Sequence, residues 1–243
     1  MSRVTAVGRI SPTQGIDSIG NLPKLVWWFE PDTLVGTTSI DSWTDKSSAA
    51  NTIAETGANR PTRAVAALDG YDGATVLAAS NQRLSKDHDV IIPGRAFSWG
   101  LVVRVDTVVG DSRILSYDDV ETTAGGFQLY VNGTKYNVTH NNVAVQDADT
   151  ITAGTFRIIT YRFSGSAVGF YRSARTRVAL DTPTIGYSKP GATVGLCLGA
   201  RNHTFTNPAS CTYIASFGCA GFISDKQMKG VENYWKTKYP TLA

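Results

Sequence analysis

The hydrophobic pattern of this chain changes period once. Short runs rich in Val, Ile, Tyr, Phe and Trp recur at 24–29, 74–79, 97–105, 112–117, 126–131, 156–163, 167–172, 193–199 and 213–222, most of them bounded by Gly, Asn, Asp, Pro or Ser. Runs of this length between turn residues predict β-strands. Their succession without helical spacing predicts stacked sheets rather than βαβ units. Two hairpins are legible. In GGFQLYVNGTKYNV, Asn132-Gly133 sits between two β-prone runs as a tight-turn pair. In FRIITYRFSGSAVGFYRSA, Ser164-Gly165-Ser166 reverses one alternating strand into the next. The stretch FISDKQMKGVENYWKTKYP differs, because Met228, Val231 and Trp235 are spaced by three and four and so line one side of a helix. Ser224 and Gln227 supply a capping box, and Ile223 and Met228 a hydrophobic staple. Lys236 and Lys238 stand near the negative end of the helix dipole before Pro240 stops the chain.

Residues 1–22 lack either period and hold Pro12, Gly15 and Gly20. They predict an N-terminal arm, with Arg3, Arg9, Ile10 and Ile16 as the side chains able to grip a neighbour. Residues 23–243 then form one β domain. A chain of this length buries roughly 70–75% of its unfolded surface, so it needs neither disulfide nor metal for stability. Charged residues are only 18% of the chain and the net charge is +3, too small to imply a nucleic-acid partner. No apolar leader opens the sequence and no later run spans a bilayer, which predicts synthesis in a cytoplasm without a signal peptide and no membrane insertion. Cys197, Cys211 and Cys219 are odd in number and fit no zinc spacing, so they predict buried, reduced thiols.

The order of motifs resembles the concanavalin A-like, laminin-G-like jelly rolls. The residues carrying the resemblance are LVWWFEPDTL (25–34), IDSWTDKSSAAN (40–51), NRP (59–61), DGYDGATVLAASNQRL (69–84), FSWGLVVRVD (97–106), FQLYVNG (127–133), VGLCLGAR (194–201) and the terminal strand and helix from Ile214 to Pro240. The pattern departs at Ser48 and at Ala78-Ala79-Ser80. The resemblance implies an all-β, two-sheet antiparallel sandwich with the C-terminal helix packed on its back. It also places Trp27, Trp28, Trp43 and Trp99 at framework positions, with either Trp27 or Trp28 facing outward from its sheet.

Candidate chemistry is sparse. Retaining glucanases of this fold carry Glu-x-Asp-x-x-Glu on one strand, because their two carboxylates must stand about 5–5.5 Å apart. This chain has no such strand, no Gly-x-Ser-x-Gly elbow and no metal-binding His pair, which predicts a protein that is not an enzyme. Asp118, Asp119 and Glu121 form an acidic loop that reads either as a solvated turn or as the calcium site that the resemblance implies at a loop rim. No other cofactor is expected. Tyr117, Asp118, Asn202, His203 and Phe205 combine aromatic faces with amide and carboxylate groups in two predicted loops, the chemistry that holds a glycan. Arg172, Arg175 and Arg177 read as a charged edge strand or as a grip on an acidic partner.

Three functions compete. Phage virions commonly display sandwiches of this resemblance, so a lone domain with an arm predicts a non-catalytic structural or attachment protein of a bacteriophage particle. Its partners would be capsid or tail proteins, further copies of itself and a host surface glycan. The alternatives are a free carbohydrate-binding module and a glycan-cleaving hydrolase.

Overall fold

The computed structural model describes residues 19–86, 96–108, 110–118, 127–140, 143–164, 168–172, 178–179, 195–200 and 208–242. The strands are β1 (Leu25–Phe29), β2 (Leu34–Val35), β3 (Ser42–Trp43), β4 (Ile53–Ala54), β5 (Thr62–Leu68), β6 (Tyr71–Val76), β7 (Leu84–Lys86), β8 (Phe97–Thr107) and β9 (Ser112–Asp118). They continue with β10 (Phe127–Asn132), β11 (Lys135–His140), β12 (Val143–Thr150), β13 (Phe156–Phe163), β14 (Val168–Arg172), β15 (Val178–Ala179), β16 (Gly195–Leu198) and β17 (Ser210–Cys219). One α-helix, α1, spans Asp225–Lys238.

Two antiparallel sheets form a sandwich. The smaller runs β15-β14-β13-β8-β17-β6-β5, with β1 added beside β17, and the larger runs β12-β11-β10-β9-β16-β7-β4-β3-β2. Alternate residues meet between them. Leu101, Val103 and Val105 of β8 face Leu115, Leu129, Val131 and Val138 of the larger sheet in one buried cluster. Phe127 joins the layers: its ring centroid lies 4.9 Å from Phe97, 5.2 Å from Tyr117 and 5.6 Å from Trp99. Trp27, Trp43 and Trp99 are fully buried, and Trp28 turns the other way, toward the helix side.

The helix is specified as its sequence predicts. Gln227 N donates to Ser224 Oγ, Ser224 N donates to Gln227 Oε1, and Ile223 and Met228 are buried. Met228, Val231 and Trp235 cover Val102, Ile158, Ile214 and Phe217 on the outer face of the smaller sheet. Gly100 makes that approach possible, since a Cβ there would stand 2.7 Å from the Phe217 ring and 3.2 Å from Trp235. Ile19 and Leu22 are buried in this same layer. The predicted arm therefore gives up its last residues to the domain, because two apolar side chains complete the helix interface. The rest of the arm, including Arg3, Arg9, Ile10 and Ile16, lies outside the described residues.

The WTDKSSAAN turn is a buried hydrogen-bond centre. Asp45 Oδ1 accepts from Trp28 N at 2.8 Å and Ser47 N at 2.7 Å, and its Oδ2 accepts from Asn51 N at 2.7 Å. Asn51 Nδ2 then donates to Val26 O at 2.8 Å, so the turn is tied to β1. The β10–β11 hairpin differs by one residue from its expected turn. Asn132 pairs with Lys135, and the loop is Gly133-Thr134 with Gly133 at φ +60°, the position that a type II′ turn reserves for glycine.

Candidate functional site

Period two gives the larger sheet an outer face as distinctive as its core. In β10, Phe127, Leu129 and Val131 point inward while Gln128 and Tyr130 point outward. Pairing extends those outward positions sideways. One row runs Ser85, Cys197, Ser116, Gln128 and Thr139 across five strands, and a second runs Arg113, Tyr130 and Asn137 across three. At strand spacings of about 4.8 Å, the first row is about 19 Å long. These side chains are hydroxyls, amides, one thiol, one guanidinium and one phenol, where the opposite side of the same strands is aliphatic and aromatic.

The face is organised rather than loosely solvated. The Arg113 guanidinium lies 4.4 Å from the Tyr130 ring centroid, its Nε donates to Gln128 Oε1 at 2.6 Å, and it pairs with Asp111. Thr139 Oγ1 donates to Tyr130 Oη at 3.2 Å, and Ser116 Oγ donates to Ala200 O at 2.9 Å. Asn137 Nδ2 donates to Lys135 O at 3.1 Å. Cys197 and Ser116 are fully buried, Asn137 is 2% exposed, Gln128 6% and Tyr130 9%, so the middle of the first row is covered and solvent reaches the rows mainly at Ser85, Arg113 and Thr139. Amides and hydroxyls held in fixed directions can select a ligand by its hydroxyl pattern, while the Tyr130 ring, backed by a cation, adds an apolar edge of which 9% is exposed.

A second polar centre lies where β1, the WTDKSSAAN turn and the end of α1 meet. Glu30 is 1% exposed, yet its Oε2 receives Lys46 Nζ at 2.9 Å and Lys238 Nζ at 3.0 Å, while Oε1 accepts from Tyr234 Oη at 2.6 Å. Burial alone would push the Glu30 carboxyl up; the hydrogen bonds from Tyr234, Lys46 and Lys238 outweigh it and hold the group below the ordinary carboxylate range. Lys46 also reaches Asp32 at 2.9 Å. This centre fastens the helix to the first strand.

Of the predicted glycan residues, Tyr117 and the backbone of Asp118 fall within the described structure. Tyr117 is not in a loop. It lies in β9, is 1% exposed and stacks on Phe127 in the core, because it falls on the inward phase of the strand. Asp118 closes that strand opposite Gly195, and nothing further is described of its side chain. Asp119, Glu121, Asn202, His203 and Phe205 lie outside the described residues, as do Arg175 and Arg177. Among the described residues no group of three or more His, Cys, Asp and Glu side chains is placed to hold a metal ion. Cys197, Cys211 and Cys219 are buried, and none of them is in a disulfide.

No family model matches the sequence, and no curated protein matches it. Solved structures do share the fold. A GH54 α-L-arabinofuranosidase soaked with a cyclic sulfate inhibitor aligns at 15% identity with a TM-score of 0.58, covering 81% of this chain and 50% of the other. An arabinofuranosidase complexed with arabinofuranosyl-α-1,2-xylobiose aligns at 15% identity with a TM-score of 0.57 over the same shares. A Trypanosoma rangeli sialidase in complex with sialic acid aligns at 12% identity with a TM-score of 0.55, covering 88% of this chain and 33% of the sialidase. The chain thus spans about half the length of the arabinofuranosidases and a third of the sialidase, and at such identity the likeness shows the fold alone.

These neighbours overturn the expectation of a non-catalytic virus-particle protein. The sandwich is shared with glycosidases, and none of the three is a virion component. The missing Glu-x-Asp-x-x-Glu strand excludes one carboxylate arrangement, not glycan chemistry as such.

Proposed function

We propose that this chain is a glycan-recognising β-sandwich whose sugar contacts are made on the outer face of the larger sheet. The observation that carries the reading is the pair of in-register polar rows, Ser116-Gln128-Thr139 and Arg113-Tyr130-Asn137, recessed on a face whose reverse side is hydrophobic core. Sugars present an apolar C–H face and a rim of hydroxyls, and the Tyr130 ring beside fixed amide and hydroxyl groups answers both. The glycosidase neighbours support the same reading at the level of fold.

Calorimetric titration with xylan-derived, arabinan-derived and sialylated oligosaccharides tests it. Gln128→Ala and Tyr130→Ala should each weaken binding about tenfold or more, the usual effect of truncating a central contact. Binding that is unaltered in both variants, or no binding to any of the three glycan classes, refutes the assignment. Reducing-sugar release measured on the same mixtures would add cleavage to recognition.

A further inference from the structure

The end of α1 carries a second surface that fits a sugar, and the polar rows of the larger sheet play no part in it. Tyr71 of β6 is 37% exposed although large and apolar in its ring. It is held edge-on against the buried Tyr239, with centroids 5.2 Å apart and planes at 89°, so its face is fixed in direction. Lys238 Nζ stands 5.4 Å from the Tyr71 centroid and 5.8 Å from that of Tyr239. Lys46 Nζ lies over the Trp28 ring at 4.8 Å. Both ammonium groups touch the same Glu30 oxygen, so they lie within about 6 Å of each other, and Asp32, whose side chain is 60% exposed, continues the row into solvent.

Two polar atoms in this cluster are left over. Tyr239 Oη and Trp28 Nε1 are both buried without a hydrogen-bond partner. Polar atoms in such a state cost about 1–3 kcal/mol each and occur where a water or a ligand completes the arrangement. The charges exclude a strongly ionic ligand: Glu30 and Asp32 balance Lys46 and Lys238, so a phosphate or a polyanion gains nothing there over water. A neutral polyhydroxylated ring gains more. Its C–H face stacks on Tyr71, its hydroxyls accept from an ammonium and donate to the Asp32 carboxylate, and no net charge has to be desolvated.

We propose that Tyr71, Asp32, Lys46 and Lys238 form a second contact site for neutral glycan chains, separate from the polar face of the larger sheet. The choice of ligand class rests on the glycan reading given above. Two sites on one sandwich would hold a polysaccharide more firmly than either alone, by raising the effective concentration of the second contact.

Titration of the full chain with neutral xylan-derived and arabinan-derived oligosaccharides, read for both stoichiometry and affinity, tests the site. The unaltered protein should bind two oligosaccharides, and Tyr71→Ala should bind one. Asp32→Ala, at an exposed position that threatens no core packing, should weaken the same event about tenfold. Tyr71→Phe should retain it, and a melting curve on each variant confirms that the domain is folded. Tyr130→Ala separates the two readings. If Tyr130→Ala abolishes all binding while Tyr71→Ala and Asp32→Ala leave stoichiometry and affinity unchanged, the second site is refuted and the sheet-face reading stands. If Tyr130→Ala changes nothing and Tyr71→Ala abolishes binding, the second site stands and the sheet-face reading falls. No binding by the unaltered protein overturns both.

Discussion

Glu30→Gln probes the junction between the helix and the first strand, because the substitution keeps the shape and removes the charge. Glu30 is 1% exposed and faces Lys46 at 2.9 Å and Lys238 at 3.0 Å. Breaking a fully buried ion pair by removing one partner costs about 3–5 kcal/mol. Here the lysine side chains are 26% and 19% exposed, and Lys46 keeps Asp32, so screening reduces the loss to about 2–3 kcal/mol. For a domain of this size that is a melting shift of about 4–12 °C. The pH dependence follows from the direction of the shift. A carboxyl held below its ordinary value in the folded state stabilises the fold above the unfolded value, 4.5 for this group, and loses that contribution as pH falls through the folded value. Urea unfolding followed by tryptophan fluorescence should therefore show the full gap between the two proteins at neutral pH and a gap that shrinks as the pH falls below the unfolded value. A gap that is absent at neutral pH, or that stays constant down to acid, refutes the argument.

Two further outcomes follow from packing. Gly218→Ala would place a Cβ 2.3 Å from the Trp27 ring, which is fully buried and fixed by its Nε1 donating to Ser216 Oγ at 3.0 Å. Overpacking of this kind costs about 1–3 kcal/mol, so thermal denaturation should show a midpoint lowered by about 2–12 °C, and an unchanged midpoint contradicts the rigidity of that indole. Burial raises the Cys211 thiol, with the nearby Asp106 charge adding to it, and burial pushes Cys219 up to about 12. In mildly alkaline buffer the folded protein should leave all three cysteines unlabelled by a thiol reagent, and the unfolded protein should label all three; fast labelling of Cys211 and Cys219 in the folded chain would show that the smaller sheet opens, and of Cys197 that the larger one does.

The strands that form the two layers were legible because their apolar residues recur every second position over at least four residues, as in FSWGLVVRVD and FRIITYRF. β2, β3 and β4 are two residues each and carry no period to read. β5 was hidden for another reason: it is the edge of its sheet, and Val65 is 77% exposed there, so the strand has little apolar phase. Helix α1 was readable to its cap, since its signals are local. The site was not. Tyr117 beside Asp118 looks like a loop pair in sequence, yet a register shift opposite Leu129 and Tyr130 makes consecutive Ile114 and Leu115 both buried. Alternation therefore cannot be carried from Arg113 to Tyr117 by counting, and the outward set becomes Arg113 and Ser116. The alternating polar residues of FQLYVN and KYNVTH were the available signal, but they become a surface only once pairing sets Gln128 beside Ser116 and Thr139.

The two outer faces of the sandwich place opposite demands on whatever meets them. The smaller sheet presents Val102, Ile158 and Phe217, which gain by contact with Trp235 and Val231 without any directional requirement, so a single amphipathic helix with a correct stripe suffices. The larger sheet carries Ser116, Gln128 and Asn137, already bonded within the chain to Ala200 O, Arg113 and Lys135 O, and an apolar cover would forgo whatever hydrogen-bonding capacity those contacts leave over. Only a partner that returns hydrogen bonds in matching directions can lie on that face at no net loss. On the glycan reading proposed above, a polyhydroxylated chain is the partner able to do so, whereas a hydrocarbon surface or a second stripe like that of α1 is not.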